Sequence, residues 1–326
     1  MLGCFLLMGK GNPMARAKQP KQIQQLTIKQ FERLFPNEDA CDAYLVAHRW
    51  PDGVNCPRCG STNVYALPSK KWHWECMDCA KGNAYRFSDI AGTIFENTNM
   101  DLRDWFRVIH LMLTAKKGMS SRQVWRYMGF GSLKTAWYMC MRIRAALHDK
   151  EFQKLMGIVE IDQSFIGGKS GNRHKGKRDG RGGGQSGPGG KAIVTGAVSR
   201  SKKTVVARVI EDTTQETIRD FIVQTVEPNV SILATDQWPG YGILSPVRYP
   251  RVSVDHSRDE YVAYDEIVGA IHTNTIEGFW SLLKRGIVGS YHKVSKKYLP
   301  LYVAEFQFRY NNRENADIFG TAIAGC

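Results

Sequence analysis

The sequence predicts a mixed α/β domain at 157–313, preceded by a small cysteine-rich ribbon and a helical segment. Three observations carry this. Two Cys-x-x-Cys pairs, Cys56/Cys59 and Cys76/Cys79, sit sixteen residues apart in a short polar stretch. Apolar residues recur at helical spacing through 101–147. From Gly157 the pattern turns to alternating and buried strands joined by a turn, a helix and a glycine-rich insertion. The implied organisation is an extension at 1–24, an N-terminal helix and ribbon at 25–98, a helix-turn-helix-like segment at 99–150, the α/β domain at 157–313 with an insertion at 167–191, and a tail at 314–326.

In the ribbon, each Cys-x-x-Cys turn offers two thiolates to one edge of a tetrahedron, and the chain between them suits a hairpin that joins the edges. Zn²⁺ accepts four sulfurs and needs no other ligand, so Cys56, Cys59, Cys76 and Cys79 are read as one structural zinc site, closed to water. The hairpin carries Tyr65, Lys70, Lys71, Trp72, His73 and Trp74. Aromatic residues among lysines suit DNA contact or the ribbon's own small core, and the sequence leaves both open.

In the helical segment, Leu102, Trp105, Phe106, Ile109 and Leu113 form one stripe, ended by Gly118. Ser120 or Ser121 caps a second helix that stops at Gly129, and Ser132 caps a third with Ala136, Trp137, Cys140, Ile143 and Leu147 on its buried side. A short helix, a turn with glycine and a following helix make a helix-turn-helix-like unit. Arg122, Arg126, Lys134, Arg142 and Arg144 are its candidate DNA contacts; a linker bundle with a solvated basic face is the plainer reading.

The α/β domain opens with Gly157–Ile166. Val159, Ile161 and Phe165 face one side of this strand; Glu160, Asp162 and Ser164 face the other. A mid-strand acid is costly unless hydrated, paired or bound to metal. Residues 167–191 hold eleven glycines, seven Lys or Arg and one acid, Asp179, a composition that cannot build a core. The stretch is read as a DNA-tracking flap using Lys169, Lys175, Lys177 and Arg178, or as a plain flexible insertion. Two strands follow, 192–199 and 204–210, turned at Ser201-Lys202-Lys203. A helix capped by Thr213 or Thr214 runs to about Glu227 and is broken by Pro228-Asn229. A buried strand then ends on Asp236. Glu277 arrives on a helix whose apolar stripe is Ile276, Trp280, Leu283 and Ile287, with Lys284 on Glu277's own face.

The chain has 45 Lys plus Arg against 31 Asp plus Glu, a formal charge of +14, which favours an anionic polymer as partner. No run of about 18 apolar residues exists to cross a membrane. Met1–Met8 is apolar but lacks a basic leader and cleavage pattern, so a secretory signal is not read; Met14 is a candidate start. Cys4, Cys41, Cys140 and Cys326 are scattered, which suits a reducing cytoplasm.

Acid on a first strand, acid ending a later strand and acid on a following helix, with a meander between, resembles the RNase H-like fold of DDE nucleotidyl transferases. The whole chain over about 25–320 resembles bacterial insertion-sequence transposases of the ISXO type, with an N-terminal zinc ribbon. The matching pieces are the ribbon, Val159-Glu160-Ile161-Asp162 with Ile166-Gly167-Gly168-Lys169, Thr235-Asp236 with Tyr241, Val254-Asp255-His256-Ser257, His272 through Lys284-Arg285-Gly286 to Tyr291-His292, and Phe308-Arg309-Tyr310-Asn311-Asn312-Arg313. The resemblance implies binding of inverted-repeat DNA ends, then metal-dependent strand cleavage and 3′-hydroxyl strand transfer. It implies Asp162, Asp236 and Glu277 as the acidic triad holding two Mg²⁺ or Mn²⁺ ions, Asp162 bridging them, with Lys284 and Arg285 on a phosphate. Double-stranded DNA is then the partner, a homo-oligomer the assembly on DNA, and the nucleoid in the cytoplasm the place.

The chain departs from the family pattern at Gln163 and Gln237, where acids are usual, and in ending at Cys326 where relatives tend to run further. Asn274 is a minor alternative third ligand. His256, His272 and His292 read as hydrogen-bonding or DNA-contacting residues rather than ligands. Trp238 and Tyr241 stack on a base or pack in the core. Two other functions compete: a catalytically decayed, transposase-derived DNA-binding protein, and a different RNase H-like nuclease.

Overall fold

A computed structural model describes residues 26–79, 85–148, 153–167, 190–236, 246–254, 263–265 and 269–326. The extension at 1–24, Lys169, Lys175, Lys177, Arg178, Trp238, Tyr241 and Asp255-His256-Ser257 lie outside the described residues.

Helices α1 (Ile28–Leu34) and α2 (Glu38–Arg49) start on side-chain caps, Thr27 with Gln30 in a reciprocal box and Asn37 accepting from the Ala40 N–H. The ribbon is a three-stranded antiparallel sheet of β1 (Val64–Ala66), β2 (His73–Cys76) and β3 (Tyr85–Ser88). Then come α3 (Leu102–Thr114), α4 (Ser121–Met128) and α5 (Leu133–Ala146). Ser120 caps α4, Gly129 ends it in the left-handed conformation at φ 68°, and Ser132 caps α5, all as the sequence predicts. Glu38 of α2 caps α3 from outside, accepting the N–H groups of Leu102 and Arg103.

The grouping of these helices differs from the division made on the sequence. Phe31 of α1 and Phe35 at its C-cap, Leu45 of α2, Phe106 of α3 and Phe319 of α9 (Ile318–Gly325) share one core with α4 and α5. The N-terminal helices therefore pack with the helical segment, and residues 318–325 form a helix seated in that core. Two further expectations fail on α5. Trp137 is 36% exposed, while Met139 takes a buried place. Arg144 is fully buried and cannot meet DNA: its Nε donates to Glu305 Oε2 at 2.7 Å, and its guanidinium lies 4.1 Å from the Tyr302 ring centroid.

The second body is built on β4 (Leu155–Ile166), β5 (Ala192–Ser199), β6 (Thr204–Ile210), α6 (Gln215–Thr225), β7 (Val226–Asp236) and β8 (Arg251–Val254). After the short pair β9 (Ala263–Asp265) and β10 (Gly269–Ile271) come α7 (Asn274–Gly286), a π-helical segment (Ile287–Tyr291) and α8 (Leu299–Asn311). The five-stranded sheet runs β6-β5-β4-β7-β8, with β4 antiparallel to β5 and parallel to β7. An antiparallel meander extended by parallel strands beside the first is the RNase H-like arrangement. Every residue of β5 is buried, because α7 and α8 cover one face of the sheet and α6 the other. Phe165, expected beside Val159 and Ile161, is 38% exposed at the strand's far end.

The helix expected to reach Glu227 ends at Thr225, and the strand starts at once, running through Pro228. The register explains how proline is tolerated. Leu155 pairs Val226 and Gly157 pairs Ser231, so the intervening residues bulge out of the ladder. Asn229 sits there at φ 67° and donates its N–H to the Arg248 carbonyl instead. No helix among the described residues is long and apolar enough to cross a membrane.

Candidate active site

The ribbon brings its four cysteines together. All four Sγ atoms lie within 4.8 Å of one another, with 3.5 Å from Cys56 to Cys79 and 3.6 Å from Cys59 to Cys76. A tetrahedron with zinc–sulfur bonds of about 2.3 Å has edges of about 3.8 Å, so the four sulfurs fit a zinc ion. Asp78 accepts from Ser61 Oγ and Asn63 Nδ2 at 2.5 and 2.8 Å, tying the two cysteine turns to each other. The hairpin's aromatic residues divide between the two readings left open. Trp74 is buried beside Trp50 and Phe87, whereas Tyr65 is 57% exposed. Trp72 is engaged on α2, its Nε1 donating to Asp39 at 2.9 Å.

The acidic site follows from the parallel pairing of β4 and β7. Ile161 lies opposite Thr235, so Asp162 and Asp236 are the next residues on adjacent strands. Glu277 stands in the first turn of α7, and the three acids line one cavity of about 520 Å³ together with Lys284 and Arg285. Asn274, the alternative third ligand, is not among its lining residues. Asp162 is held from two sides: Oδ1 accepts the Gln163 N–H at 2.7 Å and Oδ2 accepts Trp280 Nε1 at 3.0 Å. Thr273 Oγ1 donates to Glu277 Oε1 at 2.9 Å. Burial, reinforced by the charges of Asp236 and Glu277, pushes the Asp162 carboxyl up to about 6. Ser164 Oγ, which also faces this cavity, is buried without a hydrogen-bond partner among the described residues.

Three hard oxygen donors whose mutual repulsion a cation relieves, beside a buried unsatisfied hydroxyl, fit Mg²⁺ or Mn²⁺ better than a soft metal. Their oxygens do not all lie within the 4.8 Å that the cysteines satisfy; among the described residues only the cysteine group does.

Two residues that hold this site escaped the sequence reading. Glu160, two positions before Asp162, is fully buried, and its carboxylate accepts the N–H groups of Thr275 and Ile276 at 2.8 and 2.9 Å. It also accepts Thr275 Oγ1 at 2.8 Å and Arg200 Nε at 2.6 Å, and His272 Nδ1 lies 3.3 Å from it without forming a hydrogen bond. The strand that carries Asp162 thus anchors the N-terminus of the helix that carries Glu277, where a negative charge is favoured. The cost of a mid-strand acid was the signal for it. Gly196 pairs directly with Asp162 across β4 and β5, and a Cβ there would lie 2.7 Å from Trp280 Cη2. Only glycine leaves room for the indole that holds Asp162.

Of the basic candidates, Arg122, Arg126, Lys134, Lys284 and Arg285 are exposed. Arg142 is half-buried and donates to the Glu96 carbonyl at 3.2 Å, so it fixes the turn before α3. His272 lies beside the Glu160 cluster, its backbone carbonyl accepting from Arg200 Nη2 at 2.6 Å.

Sequence comparison places two matches along the chain. The ISXO2-like transposase domain matches residues 154–311, and the transposase zinc-ribbon domain matches 36–82. An uncharacterized protein in transposable element ISH50 of Halobacterium salinarum is 27% identical over 288 residues, covering 85% of this chain and 92% of that one. Among solved structures, the catalytic core domain of BIV integrase overlaps 46% of this chain and 81% of its own at 15% identity and a TM-score of 0.28. A simian T-cell lymphotropic virus intasome in complex with a PP2A regulatory subunit overlaps 56% and 67% at 10% identity and a TM-score of 0.26.

Proposed function

With a transposase zinc ribbon followed by an ISXO2-like transposase domain, the chain belongs to that family of transposases, and we propose that it binds the inverted-repeat ends of its element, cuts a strand there and joins the freed 3′-hydroxyl to target DNA. The observation that carries this reading is the meeting of Asp162, Asp236 and Glu277 in one cavity beside Lys284 and Arg285.

In this reading Asp162, Asp236 and Glu277 would together hold Mg²⁺ or Mn²⁺. When bound, such ions would activate the attacking oxygen and neutralise the leaving one. The chain's own residues do the positioning. Trp280 and the Gln163 N–H fix both oxygens of Asp162, leaving their remaining lone pairs toward the cavity. Thr273 orients Glu277, and Glu160 keeps α7 in register with β4. Lys284, two turns along α7 from Glu277, brings a cation to the phosphate under attack. The attacker is water in cleavage and a 3′-hydroxyl in transfer, and neither step requires a covalent bond to the protein. The closed cysteine site shapes the ribbon and stands apart from the chemistry. The helix-turn-helix-like pair α4–α5, with Arg122, Arg126 and Lys134 exposed, grips the duplex, and the protein works on DNA as a homo-oligomer in the nucleoid.

The test is incubation of purified protein with its element's ends and Mg²⁺, scored for nicking and joining. Wild type should do both, and Asp162→Ala, Asp236→Ala and Glu277→Ala neither. End binding without metal-dependent cutting would identify a decayed, DNA-binding descendant. Cutting of branched DNA without joining would identify a repair-type nuclease.

A further inference from the structure

Two more cavities continue from the acidic one in series, each joined to the one before it by a shared lysine. Lys284 lines both the acidic cavity and a second one of about 690 Å³. Lys293 lines this second cavity and a third, of about 510 Å³, which reaches Arg122 and Lys134. The three cavities, linked in series by Lys284 and Lys293, extend from the starts of α4 and α5, past the π-helical segment, to the carboxylates.

The lining has a repeated chemistry. The second and third compartments each combine cations with a partly exposed aromatic ring, Phe165 in the second and Trp137 in the third, whereas Trp280 in the first is buried against Asp162. Phe165 and Trp137 are 38% and 36% exposed. The middle compartment is floored by Ile166, Ala192, Ile287, Val288 and Leu299, and Val288 is 71% exposed. Among the described residues, no Asp or Glu lines the second or third cavity. His292, on the rim of the middle compartment, adopts φ 59°, a conformation that non-glycine residues hold only when their surroundings impose it.

We propose that this series of cavities is the track of an unpaired DNA strand, whose phosphates lie on Lys284 and Lys293 and whose bases rest on the apolar and aromatic floor between them. A paired duplex turns its phosphates outward and hides its base faces, so an apolar floor between cations has nothing to bind in it. An unpaired strand exposes both, and alternating cations and stacking surfaces are what such strands bind. The middle compartment lies within the roughly 300–1,000 Å³ that encloses a small organic ligand, a size suited to a base. The inference rests on the DNA-cutting role proposed above and adds that the strand is held unpaired between the helical segment and the carboxylates.

The test compares two probes binding the zinc-loaded full chain without Mg²⁺ or Mn²⁺: a blunt duplex of the element's end, and the same duplex with a short single-stranded tail. Wild type should bind the tailed probe about tenfold or more tightly. Val288→Glu, which places a charge of the phosphates' own sign on the apolar floor from an exposed position, and Lys293→Ala should each cut that advantage below about threefold while still binding blunt duplex. Lys293→Ala should also flatten the log–log salt dependence for the tailed probe by about 0.7. An equal affinity of wild type for both probes, or a full tail advantage in both variants, would overturn the proposal. Asp162→Asn separates the two readings, since it should keep the tail preference and lose cleavage. A tail preference in wild type without metal-dependent cutting would leave the track standing and remove the cutting role; cutting without a tail preference would do the reverse.

Discussion

Replacing Asp162 by asparagine should stabilise the magnesium-free protein at neutral pH while abolishing its chemistry. The carboxyl's ordinary value is 3.8 and the folded protein raises it to about 6. Each pH unit of such a displacement is worth about 1.4 kcal/mol, so the ionised carboxylate costs the fold about 3 kcal/mol above pH 6. The sign follows from the direction. A raised acid binds its proton more tightly when folded, so its unfavourable contribution is absent below about pH 4, grows between 4 and 6, and is complete above. Asparagine removes that cost but weakens the hydrogen bonds from Trp280 Nε1 and the Gln163 N–H, a loss of about 1–2 kcal/mol. Asp162→Asn should therefore gain about 1–2 kcal/mol at pH 8 and lose about 1 kcal/mol at pH 4. Urea unfolding of zinc-loaded protein in buffer free of Mg²⁺ and chelator, followed by tryptophan fluorescence, reads this difference. Mg²⁺ should then stabilise wild type and leave Asp162→Asn unmoved. A variant less stable than wild type at pH 8, or an effect independent of pH, would refute the reasoning that burial, reinforced by the neighbouring acids, makes the ionised Asp162 costly to the fold.

Other consequences follow from the same geometry. Gly196→Ala should lower the cleavage rate about a hundredfold with little change in DNA affinity, because its Cβ displaces Trp280 and with it Asp162; single-turnover kinetics and binding titrations separate the two quantities. Glu305→Ala leaves Arg144 charged in a fully buried setting and should cost about 3–5 kcal/mol in urea unfolding. Removing zinc should release one ion per chain by atomic absorption and shift tryptophan emission to the red as Trp50 and Trp74 lose their packing, while the five-stranded sheet keeps its circular dichroism.

The parts of the molecule that were legible in the sequence are those fixed by local rules. Four cysteines at ribbon spacing, the Ser120 and Ser132 caps, Gly129 as a helix stop and the stripe of Ile276, Trp280 and Leu283 each have a short-range cause, and each recurs in the structure. The order of the three acids gave the fold because the elements carrying them pair or pack directly. What escaped depends on partners far along the chain. Arg144 looks like a DNA contact until Glu305, 161 residues later, buries it. The helix of residues 318–325 looks like a tail until Phe319 meets Phe31 and Phe106. Glu160 was visible as an anomaly in its strand, but its partners at Thr275 and Ile276 exist only once α7 is docked. Pro228 suggested a break, and the chain instead absorbs it in a bulge whose register the sequence does not encode locally.

The central claim is that Asp162, Asp236 and Glu277 form one divalent-metal centre. Crystals of the zinc-loaded protein with its DNA end, soaked in Mn²⁺ and measured for anomalous scattering, address it directly. Two manganese peaks about 3.5–4 Å apart should appear, both within bonding reach of Asp162 and one each beside Asp236 and Glu277. Manganese bound elsewhere, with the Asp162 carboxylate left unligated, would contradict it.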